Sequence, residues 1–315
     1  MTPPPAAPES LISARYHAPR GKKRLFHLGK ILAERYLYPD DWLVGILGGP
    51  RAGKSTLIRG LFPGLELTND DEGVNARRAP IFDFSPDEFF SPHTFHVDVR
   101  YEMAMRPTDR IVRAVRKALE AERRVVVEHF DLIHEQLGHN AHVLVAVGEE
   151  VKVYRPTVFG PDPAAIRDEA GKMLHYRLMA HSAEDLTTHV LTNEYGYNPP
   201  ELHSEVRHGF VIGFADDLDI PLDRVEEKVH HLIDRALPIE PGHGNCIHIG
   251  DNRLPCTGKR IHMDNTDHIE NFRLVNELIY DPLNKEYLLV GLVGEGPTDP
   301  VESLPRRRPE PPPSD

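Results

Sequence analysis

The stretch GGPRAGKST, residues 48–56, constrains this chain more than any other part of it. It follows the apolar run WLVGIL, residues 42–47, and residues 55–61 have a helical pattern. Glycines let backbone N–H groups converge on phosphate oxygens, and the positive end of a following helix strengthens the attraction. In such a loop Lys54 reaches the β- and γ-phosphates and Ser55 ligates Mg²⁺. The spacing predicts a nucleotide-binding loop; the plain alternative is a glycine-rich turn with a solvated lysine.

Segments on the C-terminal side of this loop alternate between strand-like and helix-like patterns. Residues 124–130 (RVVVEHF) and 142–147 (HVLVAV) are rich in β-branched residues, as in strands that are buried on both faces. Residues 108–122 carry an apolar helical stripe, and residues 65–68 form a short strand candidate. This alternation predicts βαβ units and a parallel sheet, so the first half of the chain is expected to be an α/β domain.

The glycine-rich stretch resembles the P-loop NTPase superfamily, and two further segments resemble its uridine kinase branch. In LELTNDDEG, Asp70 and Asp71 follow a strand-like run, and in RVVVEHFDLI a strand ends in Glu128. The resemblance covers residues 40–155 and implies ATP and Mg²⁺ as cofactors. It also implies that Asp70 is the base toward an acceptor hydroxyl and that Glu128 holds the Mg²⁺ shell, with Lys54 completing the catalytic set. The residues implied to bind the nucleotide are Gly48, Gly49, Pro50, Arg51, Ala52, Gly53, Lys54, Ser55 and Thr56.

Some features depart from the uridine kinase pattern. His129 stands where the family has a glycine, and the paired arginines of the family's lid are matched only by the scattered Arg155 and Arg167. Phosphoryl transfer depends on positioning and charge neutralisation, so a missing lid weakens catalysis more than binding. Residues 70–71 are equally compatible with a solvated loop, and Asp83 is a weaker catalytic candidate.

The prolines of RPTVFGPDP predict a linker over residues 156–170, which leads into a smaller α+β domain over residues 171–295. The elements predicted in that domain are helices over residues 169–191 and 221–237, a strand over 209–215, and strands within 271–280 and 287–293 that flank the turn sequence DPLNKE. The other predicted parts are a tail and leading helix in residues 1–38, the nucleotide-binding domain in residues 39–155, and a disordered tail in residues 296–315.

The sequence MAHSAEDLTTHVL, residues 179–191, resembles the start of the editing domain that threonyl- and alanyl-tRNA synthetases share. His181 and Ser182 match the family's His-Ser-x-x-His motif, and Asp185 stands at its second histidine. The resemblance continues through HGFVIGFADD and PLDRVEEKVHHLIDRALPIE, so that it covers residues 172–265. It implies a domain that recognises a nucleoside-like substrate or the end of a tRNA.

The remaining zinc ligands of that editing family are a Cys-x-x-x-His just before a Thr-Gly-Lys turn. The turn CTGKRI begins here at Cys256, and counting back from it places the ligand positions at Ile249 and Arg253, which do not bind zinc. Two alternatives stay open: a rebuilt zinc site, or a binding fold without editing chemistry. The rebuilt site would consist of His181, Asp185, Cys246 and His248. The polar stretch 261–272 is a candidate pocket lining or a plain surface loop, and its polar residues are His262, Asp264, Asn265, Asp267 and His268.

The overall composition narrows the remaining function classes. The net charge is −12 at pH 7, so the chain lacks the basic surface of a typical DNA-binding protein, although a local basic pocket can still bind a nucleotide or an RNA. The 19 histidines favour at least one metal or acid–base site. No apolar run approaches the roughly 20 residues of a membrane-spanning helix. These features, with no secretory signal in residues 1–9, favour a cytoplasmic protein that binds neither DNA nor membranes.

Together these patterns predict an ATP-dependent phosphotransferase of the uridine kinase type. Its acceptor would be a hydroxyl of a nucleoside, a nucleotide-like group or a tRNA, and the second domain would recognise that substrate. One alternative is a tRNA-editing-like deacylase that is gated by ATP binding. Another is a non-catalytic nucleotide-binding module.

Overall fold

The computed structural model describes residues 11–68, 79–86, 92–197, 208–217, 219–256 and 258–295. The chain divides into two compact units, which meet between Leu174 and His175. Each unit has its own core of buried apolar side chains. Among the described residues, no helix combines the length and the apolar character that crossing a membrane would require.

Unit 1, residues 1–174, is built around a six-stranded sheet. Its elements are β1 (Ser13–His17), α1 (Lys22–Tyr36), β2 (Leu43–Leu47), α2 (Lys54–Leu61), β3 (Thr94–Asp98), α3 (Val99–Met103), α4 (Thr108–Glu120), β4 (Arg124–Glu128), α5 (His134–Leu137), β5 (Val143–Val147) and β6 (Glu150–Tyr154). The strand order is β1-β6-β5-β2-β4-β3. Strands β5, β2, β4 and β3 run parallel, whereas β6 and β1 are antiparallel to their neighbours.

The predicted α/β class is confirmed, but the sheet is mixed rather than wholly parallel. Strands β2 and β5 are buried at every residue and β4 at nearly every residue, which is why each reads as a continuous apolar run. Strand β6 instead alternates buried and half-buried residues beside the mostly exposed β1. The strand expected over residues 65–68 is absent, because the N–H of Thr68 donates to the ring of His96 instead of a neighbouring strand.

Helices α1 and α2 touch at backbone distance because glycines lie where they cross. A methyl group on Gly29 would lie 2.8 Å from the Cα of Gly60, and one on Gly60 would lie 2.2 Å from the carbonyl oxygen of Phe26. Helix α2 begins at Lys54, directly after the glycine-rich stretch. The contact therefore fixes the helix whose first residues belong to the predicted nucleotide site.

Unit 2, residues 175–315, combines helices with two antiparallel sheets. Its elements are the C-terminal part of α6 (Pro163–Tyr195), β7 (Gly209–Phe214), α7 (Leu222–Asp234), β8 (Ile239–Pro241), β9 (Cys246–Ile249), β10 (Asn252–Pro255), β11 (Arg273–Leu274), β12 (Ile279–Asp281) and β13 (Glu286–Leu292). One sheet has the order β10-β9-β8, and in the other β13 pairs with β7, β11 and β12. Helix α6 begins at Pro163, inside the stretch predicted as a linker over residues 156–170.

The predicted hairpin around DPLNKE is present in a shorter form. Asp281, the last residue of β12, pairs with Glu286, the first residue of β13. The first predicted strand, residues 271–280, contains two short strands instead of one, because β11 and β12 pair with different parts of β13.

Candidate functional site

The adjacent parallel strands β2 and β4 end side by side, and the residues that follow them form the candidate site. Ile46 lies opposite Glu128, the last residue of β4, and the N–H of His129 donates to the carbonyl of Ile46 at 2.9 Å. The glycine-rich loop, residues 48–53, leaves β2 at this edge. In chain order β2 is followed by β3 and β4, and both of these strands lie on one side of β2 in the sheet. Strands β5 and β6 come later in the chain and lie on the other side of β2. Open α/β sheets bind ligands at such a divergence, outside the carboxyl ends of the strands.

The backbone of the glycine-rich loop has positive φ angles at three positions. Gly48, Arg51 and Gly53 have φ angles of 136°, 64° and 98°, in the left-handed half of conformational space. Such residues turn successive N–H groups toward one side, where they form a concavity for an anion. Gly53 also precedes the first residue of α2, whose N-terminal N–H groups have no partners within the helix. A glycine-rich loop followed by a helix N-terminus is a type of site that can bind an anion.

Lys54 supplies the positive charge of this edge. Its side chain is buried, its Nζ donates to the carbonyl of Gly49 at 3.0 Å, and the same Nζ lies 3.8 Å from Oε2 of Glu128. Lysine is rarely buried without a partner. The ammonium group is thus held over the loop and beside a carboxylate from the neighbouring strand, where it can attract phosphate oxygens.

Glu128 offers a buried carboxylate to a metal ion. Its Oε1 accepts a hydrogen bond from Nε2 of His96, in β3, at 3.1 Å. Burial raises the pKa of Glu128, but the hydrogen bond from His96 and the charge of Lys54 lower it more, so its pKa lies below the ordinary value. The carboxylate is therefore ionised at neutral pH, and ionised carboxylate oxygens are the ligands that Mg²⁺ prefers. The predicted Mg²⁺ partner Ser55 is the second residue of α2 and is half-buried.

His129 occupies the position of the glycine that the resemblance implies, and its backbone explains why a glycine suits it. Its φ of 57° is left-handed, a conformation that glycine adopts without strain. Burial lowers the pKa of His129, and so do the charges of Lys54 and Arg100, against the opposing effect of Asp98 and Glu128. The imidazole is therefore neutral at pH 7, and the charges of Lys54 and Glu128 act on it.

The predicted acceptor side of the site is described only at its margin. Asp70 and Asp71 lie outside the described residues. Thr68, just before them, is buried, and its N–H donates to Nδ1 of His96 at 3.1 Å. The Thr68 hydroxyl accepts a hydrogen bond from the N–H of Asp98 at 3.4 Å. Thr68 thus lies beside β3, the strand that holds His96 and Asp98 and pairs with the strand of Glu128.

The other catalytic and lid candidates take different places. Asp83 is exposed and follows a short 3-10 turn, Pro80–Phe82. Arg155 binds both carboxylate oxygens of Asp41 at 2.8 Å. Arg167, the other lid candidate, donates at 2.9 Å to the nearly buried carboxylate of Asp131. Both arginines are therefore engaged in ion pairs of unit 1, and neither is assigned to a lid.

Arg100 is a basic residue of this edge that the sequence patterns did not single out. It is exposed at the start of α3, two residues after the end of β3, and its charge acts on His129. A signal was available in the sequence, since Asp98 and Arg100 follow the apolar residues of a strand as polar residues do at the carboxyl edge of a sheet. The sequence patterns did not predict a strand for the short segment TFHVD, which is β3, and the prediction of this sheet edge therefore lacked Asp98 and Arg100.

In unit 2 a second group of possible ligands comes together. Nε2 of His262 lies 2.9 Å from Oδ2 of Asp185 and 3.9 Å from Sγ of Cys256. All three side chains are buried, and one ligand atom from each lies within 4.8 Å of the others. Ligands of a tetrahedral zinc ion at bond lengths of about 2.0–2.3 Å lie about 3.3–3.8 Å from one another. The donor atoms (carboxylate, thiol and imidazole) are of types that bind zinc, and the two distances from Nε2 of His262 lie on either side of this range.

This group shares Asp185 with the four ligands expected from the sequence, but not His181, Cys246 or His248. Cys246 is in β9, where its thiol donates to the carbonyl of His243 at 2.9 Å and accepts from Nε of Arg253 at 3.3 Å. Cys246 and His248 are not part of the group because residues two apart in β9 share one face of the strand. On that face both side chains lie against Gly242.

The expected ligand His181 lies one helical turn before Asp185 in α6. Its ring centroid is 6.4 Å from that of His262, and its Nδ1 is 3.6 Å from Oε2 of Glu184. The sequence patterns had placed Cys256 in a turn and His262 in a polar segment. Their spacing of six residues matched no ligand motif, which is why the pair was missed.

No protein-family model matches this chain, and a search of curated proteins finds no match either.

Proposed function

We propose that unit 1 binds a nucleoside triphosphate together with Mg²⁺ and transfers its terminal phosphoryl group to a hydroxyl of a nucleoside-like substrate or of a tRNA end. The observation that carries this proposal is the place of Lys54. Its Nζ lies between the glycine-rich loop and Glu128, 3.0 Å from the carbonyl of Gly49 and 3.8 Å from Oε2 of Glu128. A glycine-rich loop, a cation and an ionised carboxylate thus occupy neighbouring strand ends, which supports the proposal.

Each of these groups has a role that follows from its chemistry. The N–H groups of residues 48–53 bind phosphate oxygens, and Lys54 neutralises their charge. Ser55 and Glu128 would hold Mg²⁺, which stabilises the charge on the phosphoryl oxygens when it is bound. Asp70 would accept the proton of the acceptor hydroxyl, as the resemblance to the uridine kinase branch implies. Phosphoryl transfer needs little more from a protein than this positioning and neutralisation.

The test is transfer of label from γ-labelled ATP to a panel of nucleosides, nucleotides and tRNA, followed by mass spectrometry of the products. Lys54→Ala is expected to lower the rate of transfer by about a thousandfold or more, since one charge at the transferring group is worth several kcal/mol. Lys117→Ala is a matched control, because Lys117 also donates to a backbone carbonyl, that of Phe84 at 2.7 Å, but in α4. It is expected to keep the wild-type rate.

The other outcomes of this experiment separate the alternatives. ATP that is hydrolysed without a labelled acceptor would identify an ATPase. Binding of ATP without any consumption would identify a non-catalytic module. Turnover that is equal in the Lys54→Ala variant and in the wild type would contradict the proposal altogether.

A second proposal concerns the cluster of Asp185, Cys256 and His262 in unit 2. We propose that it binds zinc, because its donor atoms already lie close to the spacing of a tetrahedral site. Three protein ligands with one open position are typical of catalytic zinc, so this cluster also favours the deacylase alternative. Hydrolysis of a mischarged tRNA by the purified protein, stimulated by ATP, would support that alternative.

The chain contains a natural control for the zinc proposal in its two cysteines. Cys256→Ser is expected to reduce bound zinc, measured by mass spectrometry of the purified protein, well below one ion per chain. Cys246→Ser is expected to leave the zinc content unchanged, because the Cys246 thiol binds His243 and Arg253 instead. Equal zinc content in the two variants would contradict the assignment.

A further inference from the structure

A buried histidine next to the proposed Mg²⁺ carboxylate has no role in the function proposed above. His96 is in the middle of β3 and is 1% exposed. Strand β3 pairs with β4 in parallel, so that His96 lies opposite Val126 and Asp98 lies opposite Glu128. Residues two apart on a strand share a face, and His96 therefore reaches Glu128 diagonally across the pair. Its Nε2 lies 3.1 Å from Oε1 of Glu128.

The second ring nitrogen of His96 fixes which nitrogen carries the proton. The N–H of Thr68 donates to Nδ1 at 3.1 Å, and a backbone N–H has no other role in a hydrogen bond than that of donor. Nδ1 must therefore present its lone pair, and the proton lies on Nε2. His96 is thus a donor to Glu128 and an acceptor from Thr68, in one defined tautomer.

This hydrogen bond determines how the Glu128 carboxylate is oriented. His96 occupies Oε1, and Oε2 is the oxygen that lies 3.8 Å from Nζ of Lys54. A carboxylate that has one oxygen held by a fixed donor presents the other in a fixed direction, toward the lysine of the phosphate loop. Partners that orient a metal ligand in this way commonly change metal affinity by about 10–100-fold.

We propose that His96 is a positioning residue, which aligns Glu128 toward Mg²⁺ and ties it to Thr68. The inference rests on the nucleotide and Mg²⁺ binding proposed above. It adds that one imidazole holds both the Glu128 carboxylate and the backbone of Thr68.

Two substitutions separate the two hydrogen bonds of His96. In His96→Gln the amide nitrogen replaces Nε2 and keeps a donor for Glu128. In His96→Asn the amide oxygen replaces Nδ1 and keeps an acceptor for Thr68, but the donor to Glu128 is lost. His93→Asn is the matched control, since His93 is exposed just before β3.

The measurement is the Mg²⁺ concentration that gives half-maximal binding of a non-hydrolysable ATP analogue, with the thermal midpoint of each variant as the control for folding. His96→Asn is expected to raise this concentration tenfold or more, whereas His96→Gln and His93→Asn are expected to stay within about threefold of the wild type. An equal Mg²⁺ requirement in His96→Asn and His96→Gln would overturn the inference while leaving the proposed function intact. A wild-type protein that binds no nucleotide at any Mg²⁺ concentration would overturn both.

A second readout does not depend on the nucleotide. Nitrogen NMR of the histidine-labelled protein is expected to show one ring with the proton fixed on Nε2, and the signal of that ring is expected to shift in Glu128→Gln. A His96 ring, identified by the loss of its signal in His96→Gln, that is protonated on Nδ1 would overturn the inference directly.

Discussion

At the scale of single residues, the glycine-rich loop depends on conformations that side chains disfavour. Gly48 has a φ of 136°, and a methyl group there would lie 2.4 Å from the carbonyl oxygen of Val147. Gly53 has a φ of 98°, and a methyl group there would lie 2.4 Å from Cδ2 of Leu25. The fold of unit 1 therefore requires both of these glycines, independently of any ligand.

A left-handed backbone conformation costs a residue with a side chain about 1–3 kcal/mol. We predict that Gly48→Ala lowers the free energy of unfolding by more than this, because the backbone must also move away from Val147. Gly64→Ala is the control, since Gly64 has a φ of 89° but open space around it, so that only the strain remains. Urea denaturation of both variants measures the difference. A Gly48→Ala protein as stable as Gly64→Ala would show that the loop adapts freely.

The sequence singled out the glycine-rich loop and Glu128, which the structure places at neighbouring strand ends, because both depend on local spacing next to apolar strands. It did not identify the partners of Glu128 or of Asp185. His96 and Glu128 are 32 positions apart, and His262 and Asp185 are 77 apart, so only the folded chain brings each pair together. No local pattern encodes a contact of that kind.

At the scale of elements, strands that are buried on both faces were predicted well and the others were not. Strands β2, β4 and β5 are continuous apolar runs, and the structure places each of them within two residues of the predicted bounds. Strands β1, β3 and β6 are not continuous apolar runs, because they contain polar or exposed residues. Their pairing depends on neighbours that are distant in the sequence, for example Ser13 with Tyr154.

The crossing of α1 and α2 gives a prediction at this scale. Gly60→Ala is expected to lower the free energy of unfolding by about 1–3 kcal/mol, because a methyl group would lie 2.2 Å from the carbonyl oxygen of Phe26. Gly171→Ala, in α6 with nothing within 4 Å of the added group, is expected to raise it by about 0.5–1 kcal/mol through helix propensity. Chemical denaturation of the two variants checks the opposite signs, and a stabilised Gly60→Ala protein would contradict the close contact.

At the scale of the whole molecule, the chain consists of two units with separate cores, and each unit has its own candidate ligand. The α/β class of unit 1 followed from the alternation of strand and helix patterns. The short strands of unit 2 were predicted less well from the sequence, because strands of two to four residues have too few positions for a periodic pattern.

The single tryptophan allows the two units to be followed separately. Trp42 directly precedes β2 in unit 1. A non-hydrolysable ATP analogue with Mg²⁺ at about 100 times its dissociation constant is expected to raise the transition seen by Trp42 fluorescence by about 5–10 °C. A chelator that removes zinc but binds Mg²⁺ only weakly, such as phenanthroline, is expected to lower a transition seen by circular dichroism and to leave the Trp42 transition unchanged. A chelator effect on Trp42 fluorescence, or a nucleotide effect confined to the other transition, would contradict the assignment of ligands to units.

The central claim is that the loop of residues 48–53 and Lys54 bind the phosphates of a nucleotide. Titration calorimetry of the whole protein with a non-hydrolysable ATP analogue and Mg²⁺ tests it most directly. The expected result is one binding site per chain in the wild type and in Lys117→Ala, with affinity lost in Lys54→Ala. Absence of binding in the wild type, or unchanged affinity in Lys54→Ala, would contradict the claim.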